Sequence, residues 1–350
     1  MNVTRRSVLR SMAAISSLPI AGFSSSAFGA DDDDYFRGKT LRILVGTTPG
    51  AGYDLVARTL AIHLPRFIAG APTVAVENMP GAGSLTMANY LYNRASRDGT
   101  VIGLPLNGII LEPTLRLLSG SGGNVNFDLS KMSWLGSTSE EPQVLWVRED
   151  AKLNSFEDLR NRKVIVGASG LAADNYLVSI LTNNLLRTRL EIVSGYAGTN
   201  DVFLAAERGE VEGSCTAYSA IAVGRPQWLK ERRIRVLAQY GTERIADLPD
   251  VPAAVELVDD PDVKKMLLTF ATKFKAAYPF VLPPGVEAAR VGQLQKAFEN
   301  TVRDAAFIAD IRKSGMGLKI MAGAEIAKMI EDSLATPEPI LARLRTALNR

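Results

Sequence analysis

The chain has almost none of the side chains on which metal, redox and nucleophilic chemistry is usually built. Among 350 residues there is one cysteine, Cys215, and one histidine, His63. A single cysteine excludes an intrachain disulfide and cysteine-held iron–sulfur, zinc or c-type haem sites. A single histidine excludes a multi-histidine metal centre, and leaves a Ser-His-Asp triad only if His63 serves. His63 falls in a helical stretch shortly before Pro65, where a structural or surface residue is expected. There is no P-loop lysine and no complete dinucleotide fingerprint, so no cofactor is expected. An excess of one charge is missing too. The net charge is +3, but Arg5, Arg6 and Arg10 stand in the first 30 residues without an acid among them. Without those three, bases and acids are equal in number. No basic stripe suggests nucleic acid or an anionic membrane. The apolar run at 12–23 is too short and too rich in Ser and Ala to span a bilayer.

That run belongs to a leader. Thr4-Arg5-Arg6-Ser7-Val8-Leu9-Arg10 has the twin-arginine pattern, and Ala27 and Gly29 supply small residues at −3 and −1 for cleavage after Gly29. Cutting after Ala27 or Ala30 fits as well. Residues 1–30 are therefore read as a twin-arginine signal peptide, removed on export to the periplasm. The remainder, in a chain 47% hydrophobic and 22% charged, suits a soluble protein of two ordinary domains.

The mature chain repeats one theme: a short apolar strand, a Gly/Ser/Thr turn, and a helix start. Strands are expected at 41–45, 73–76, 100–104, 164–166, 190–193, 211–215 and 234–238. The leading turn is Val45-Gly46-Thr47-Thr48-Pro49-Gly50-Ala51-Gly52-Tyr53-Asp54. Gly50 and Gly52 let backbone approach a ligand closely. Asp54 suits an N-cap, with Arg58 four residues on to pair with it. Amides at such a helix start favour an anion. Two readings stand side by side here, a carboxylate cradle and a plain βα turn. In an open α/β sheet, such turns gather at the carboxyl ends of the strands, where ligands bind.

Taken in order, these segments resemble the substrate-binding receptors of tripartite tricarboxylate transporters, the Bug/TctC family. The resemblance runs from about 40 to 348. It rests on Thr48-Pro49-Gly50-Ala51-Gly52-Tyr53-Asp54, Glu77-Asn78-Met79-Pro80-Gly81-Ala82-Gly83, Arg97-Asp98-Gly99-Thr100, and Gly195-Tyr196-Ala197-Gly198 with Glu207-Arg208-Gly209-Glu210-Val211. Leu248-Pro249-Asp250-Val251-Pro252 and Leu282-Pro283-Pro284-Gly285 add two landmarks. The resemblance implies an α/β, two-lobed periplasmic binding protein fold (type II) with the ligand cleft between lobes. It implies one lobe from 36–140 plus 241–350 and another from 141–240, with crossings near Glu140 and Tyr240. It implies a receptor, not an enzyme, that captures a small organic anion (a carboxylate or amino acid) and serves membrane permease subunits as a monomer.

By the same resemblance the ligand set is Thr48, Gly50, Ala51, Gly52 and Asp54 from the first turn, and Asn78, Gly81, Gly83 and Ser84 from the second. The other lobe adds Ser169, Gly170, Asp174, Tyr196, Gly198 and Thr216. The chain departs from the family where an aromatic residue and Pro-Gly-Gly-Gly are common: it has Thr47-Thr48-Pro49-Gly50-Ala51-Gly52. Asp174 puts an acid where a neutral or histidine residue is frequent. Facing the cleft, it would disfavour a second carboxylate or favour an amine; otherwise it is an N-cap on its own backbone. Trp134, Trp146 and Trp228 read as packing residues, Cys215 as inert, and Lys273 and Lys275 as exposed. An exported enzyme using carboxylate chemistry, or a receptor feeding a membrane sensor, remain the alternatives.

Overall fold

Short strands alternate with helices along the chain, and this alternation builds two sheets, each clothed by helices. The computed structural model describes residues 34–116, 124–170 and 173–349, so the 1–30 leader lies outside the described residues. The elements begin with β1 (Thr40–Val45), α1 (Gly52–His63), β2 (Thr73–Asn78), α2 (Leu85–Asn93), β3 (Val101–Leu104), α3 (Glu112–Leu115) and β4 (Ser133–Ser139). Then come β5 (Gln143–Arg148), α4 (Asp158–Asn161), β6 (Val164–Ala168), α5 (Asp174–Leu186), β7 (Leu190–Ser194), α6 (Thr199–Glu207), β8 (Gly213–Ala217), α7 (Tyr218–Gly224), α8 (Pro226–Lys230) and β9 (Ile234–Tyr240). The chain ends with α9 (Pro261–Ala271), β10 (Ala277–Leu282), α10 (Ala288–Arg303), α11 (Ala305–Lys313), β11 (Met321–Ala322), α12 (Gly323–Leu334) and α13 (Glu338–Leu348).

The first sheet has the order β11-β4-β10-β3-β1-β2 and the second β7-β6-β8-β5-β9. β1, β2 and β3 run parallel, as do β6, β7 and β8, while β10 and β5 run against them. Parallel strands need helical crossovers, so both faces of each sheet are covered and buried. Leu41, Ile43 and Val45 pack with Leu60, Phe298 and Phe307 on one face, and Leu44 packs with Met87, Leu91 and Trp134 on the other. In the second sheet Val164 and Val166 face Leu177, Phe270 and Leu344, whereas Trp146 packs edge-on against Phe203 and tilted against Trp228. Each large side chain so buried contributes roughly 1.5–3 kcal/mol.

The chain leaves the first sheet at Ser139 and enters the second at Gln143; it leaves the second at Tyr240 and returns at Ala277. The two connections meet: the Glu141 N–H donates to the Phe274 carbonyl at 2.8 Å. The sequence reading assigns all of 241–350 to the first lobe. The packing differs, because Met266, Phe270 and Phe274 around α9, and Leu341 and Leu344 of α13, complete the core of the second sheet. Asn184 of α5 donates to the Ala347 carbonyl at 2.8 Å, fixing α13 there.

Candidate ligand-binding cleft

The turn after β1 is built by its neighbours. Ser84 has a left-handed backbone (φ 77°) and is fully buried. Its hydroxyl donates to the Gly46 carbonyl at 3.0 Å and accepts from the Leu106 N–H at 3.1 Å. One side chain thus joins the turns that follow β1, β2 and β3. A Cβ on Gly46 would stand 2.1 Å from that hydroxyl, so glycine is required there. Asp54, expected at the N-cap, lies in the first turn of α1 while Ala51 occupies the cap. Its carboxylate accepts from the Gly50 N–H, from Arg58 Nε and from Asn78 Nδ2, each at 2.9 Å. Asn78 Nδ2 also reaches the Thr47 carbonyl at 3.1 Å. The Arg58 guanidinium first, then the Gly50 amide and Asn78, hold the Asp54 carboxyl down to about 2 against the opposing effect of burial. Asp54 and Asn78 therefore shape the turn, and Thr48 and Gly50 are left exposed on it, with Ala51 and Gly52 half-buried. Gly81 and Gly83 continue the rim at φ 138° and 62°.

Across the cleft, Ser169 is tied to Asn175, which accepts from its N–H at 3.1 Å and bonds its hydroxyl. Gly170 has open space where a side chain would be. Asp174 opens α5 but makes no cap on its own backbone; it forms an ion pair with Lys273. Lys273, read from the sequence as exposed, is 1% exposed and lies 4.3 Å from the Phe270 ring centre. Asp174 is thus matched by a cation of the protein and does not cap its own helix. Tyr196 is half-buried and its ring covers Gly167, where a Cβ would come within 3.3 Å. Gly198 is the N-cap of α6 in ordinary extended backbone. Thr216 is 2% exposed and its hydroxyl accepts from Trp146 Nε1 at 3.0 Å, so it is part of the second core.

The helices that start at these turns share one property. α1, α2, α5, α6 and α7 begin without any side-chain hydrogen bond from their N-cap residue. Helices away from these turns, such as α10 and α13, also lack a side-chain cap, while Asp260 and Asp304 cap α9 and α11. An uncapped N-terminus keeps N–H donors and the positive end of the helix dipole available.

A buried polar group between the lobes escapes the sequence reading. Tyr278 Oη donates to Glu141 Oε1 at 2.7 Å, and Ser219 Oγ donates to the same oxygen at 3.5 Å. Tyr53 packs against Tyr278 with ring centres 4.6 Å apart and the rings tilted by 56°, and accepts from the Asn107 N–H at 3.1 Å. Burial pushes the Glu141 carboxyl up; the two hydroxyls oppose this and the charge of Asp174 adds to it. Burial also pushes both phenols up, so they remain donors. Tyr278 holds φ 57°, a strained value for an aromatic residue. The sequence signal was faint: an acid pair, Glu140-Glu141, before Pro142. Among the described residues there is no metal-binding cluster of His, Cys, Asp or Glu, and no helix long and apolar enough to cross a membrane.

Comparison with known proteins places this geometry. The profile of the tripartite tricarboxylate transporter family receptor matches residues 56–345. A UPF0065 protein of Bordetella pertussis is 24% identical over 343 residues, spanning 96% of each chain. A TctC solute binding protein from Polaromonas superposes with a TM-score of 0.67 at 16% identity, covering 89% of this chain and 98% of that one. MatC from Rhodopseudomonas palustris, solved with bound malate, superposes with a TM-score of 0.61 at 19% identity, covering 87% and 100%. The α/β, two-lobed binding-protein fold expected from the sequence is the fold these structures share with the chain.

Proposed function

The chain belongs to the tripartite tricarboxylate transporter receptor family, and from that premise we propose that it holds a small organic carboxylate on uncapped helix N-termini between its lobes and presents it to the membrane subunits of a tripartite transporter. It is a periplasmic solute-binding receptor and not an enzyme. The observation that carries the proposal is the set of five helix starts, two after strands of the first sheet and three after strands of the second, that open without side-chain caps. The carboxylate lies on the backbone of Thr48, Gly50, Ala51 and Gly52, with the rim of Gly81 and Gly83 beside it. Ser169, Gly170, Tyr196 and Gly198 close from the other lobe. Asp54, Asn78 and Ser84 act by fixing the turn, and Asp174 by its pairing with Lys273. Malate in MatC supports the carboxylate class. A ligand amine is disfavoured, because Asp174 already has its cation. The leader at 1–30 directs export by the twin-arginine route, and the receptor works as a monomer. Its second lobe consists of 141–240 with α9 and α13 attached.

The test is Ala51→Trp, which puts an indole over the turn without entering a core. Titration calorimetry against a panel of mono- and dicarboxylates reads the affinity, and thermal melting reads the fold. The expected result is a loss of at least about a hundredfold in affinity with the melting temperature unchanged. Unchanged affinity would move the site away from this turn.

A further inference from the structure

Next to the turn lies a cavity of ≈ 640 Å³ that a four-carbon acid would leave mostly empty. One wall is the first-lobe segment 315–319, with Met316 and Leu318; the opposite wall is α7 of the second lobe, with Ala222 and Val223. Pro142, Ile245, Glu141 and Ser219 also line it. Turn and cavity share a boundary: a Cβ on Gly52 would lie 3.3 Å from Tyr278 Oη and 3.4 Å from Met316 Cε. The charges on the lining are largely matched within the protein. Lys319 pairs with Glu140 and lies 3.9 Å from Glu243, and Arg244 pairs with Glu256 at 2.7 Å. Tyr218 Oη donates to Asp247 at 3.4 Å, while Arg312 is exposed to solvent. Burial raises the Glu141 carboxyl above its ordinary value. Cavities of about 300–1,000 Å³ with apolar walls and a few polar groups are the usual shape of a small-molecule site.

We propose that the solute is a monocarboxylate with an extended apolar body, of the octanoate class, its carboxylate on the first-lobe turn and its body in the cavity between α7 and 315–319. The proposal rests on the turn as the anion holder. It adds a substrate class, and assigns Ala222, Val223, Met316 and Leu318 the role of reading the body. Full burial of one methylene raises affinity by about fourfold at most.

The experiment is titration calorimetry of the mature chain with butyrate, octanoate and suberate. Octanoate and suberate have equal length and differ by one terminal charge. Octanoate is expected to bind at least about tenfold tighter than either. Ala222→Trp fills the cavity, and Val223→Glu places a charge on its wall at a residue already half exposed, so that one variant folds even if the other does not. Both are expected to lower octanoate toward the affinity of butyrate, removing the advantage of the longer chain. Suberate or butyrate binding as well as octanoate, or octanoate binding unaffected by either folded variant, overturns the apolar-body assignment. In those cases the receptor reading stands, provided Ala51→Trp still abolishes binding. If none of the three acids binds, the monocarboxylate class falls, and titration with malate then decides whether the turn holds any carboxylate.

Discussion

Asp54 is 4% exposed, yet its charged form is the favoured one, because Arg58, the Gly50 amide and Asn78 all bond it. A carboxyl held at about 2 instead of its ordinary 3.8 gives stability that is fully present above 3.8 and is lost as pH falls toward 2. Asp54→Asn keeps the volume and removes the charge. It is expected to lower unfolding stability by about 1–3 kcal/mol at pH 7, read by urea melts, with the gap to the parent narrowing between pH 4 and pH 2. A gap independent of pH would assign the loss to packing. Glu141 has the opposite sign. Its carboxyl is raised above the ordinary 4.5 by burial, so the folded state holds its proton longer than the unfolded chain. Stability is then highest below 4.5 and falls as pH rises through the raised value. Glu141→Gln retains an acceptor for Tyr278 and Ser219 and cannot ionise. It is expected to raise the melting temperature at pH 7.5 and leave it unchanged at pH 4; equal melting at both pH values would show that Glu141 carries no such cost.

The turns were legible at the level of the element because their signals are local. Glycine at Gly50, Gly81 and Gly83 marks backbone that bends left, and an acid at Asp54 marks a helix start. What those residues touch was less legible. Ser84 reads as a rim residue beside two glycines, but its φ of 77° goes with a hydroxyl spent on Gly46 and Leu106. Thr216 reads as the open end of a strand, but its partner is an indole 70 positions away. Glu141 and Tyr278 are 137 residues apart, and no spacing rule connects them. Likewise the amphipathic pattern of α13 tells which face is apolar, and not which sheet it will cover. Ser84→Ala tests the staple. It leaves a buried carbonyl and a buried N–H without their partner, so urea melts are expected to show a loss of about 1–3 kcal/mol. Carboxylate affinity is expected to fall with it, because three turns lose their common anchor. Loss of stability with full affinity would show that the turns are fixed by other bonds.

If the proposed receptor closes its lobes on the ligand, one contact reports on that movement. Gly315 lies on the first-lobe segment after α11 and Val223 on α7 of the second. A Cβ on Gly315 would stand 2.4 Å from Val223 Cγ1 and 3.2 Å from Cγ2, so a methyl group there props the lobes apart. Gly315 also holds φ 79°, which costs any other residue about 1 kcal/mol wherever the lobes are. Gly315→Ala is therefore expected to lower stability by about that amount and separately to weaken ligand binding by about five- to tenfold, since part of the binding energy then goes into forcing the contact. The two effects separate in the double variant. Val223→Ala removes the γ-methyl groups that the new Cβ meets, but does nothing for the backbone strain. For butyrate, which is too short to reach Val223, Gly315→Ala with Val223→Ala should recover affinity relative to Gly315→Ala and retain its lower melting temperature. Small-angle scattering with saturating ligand should show a larger radius of gyration for Gly315→Ala alone. If the double variant binds no better than the single one, the lobes do not close on this contact, and the affinity loss belongs to the strained backbone.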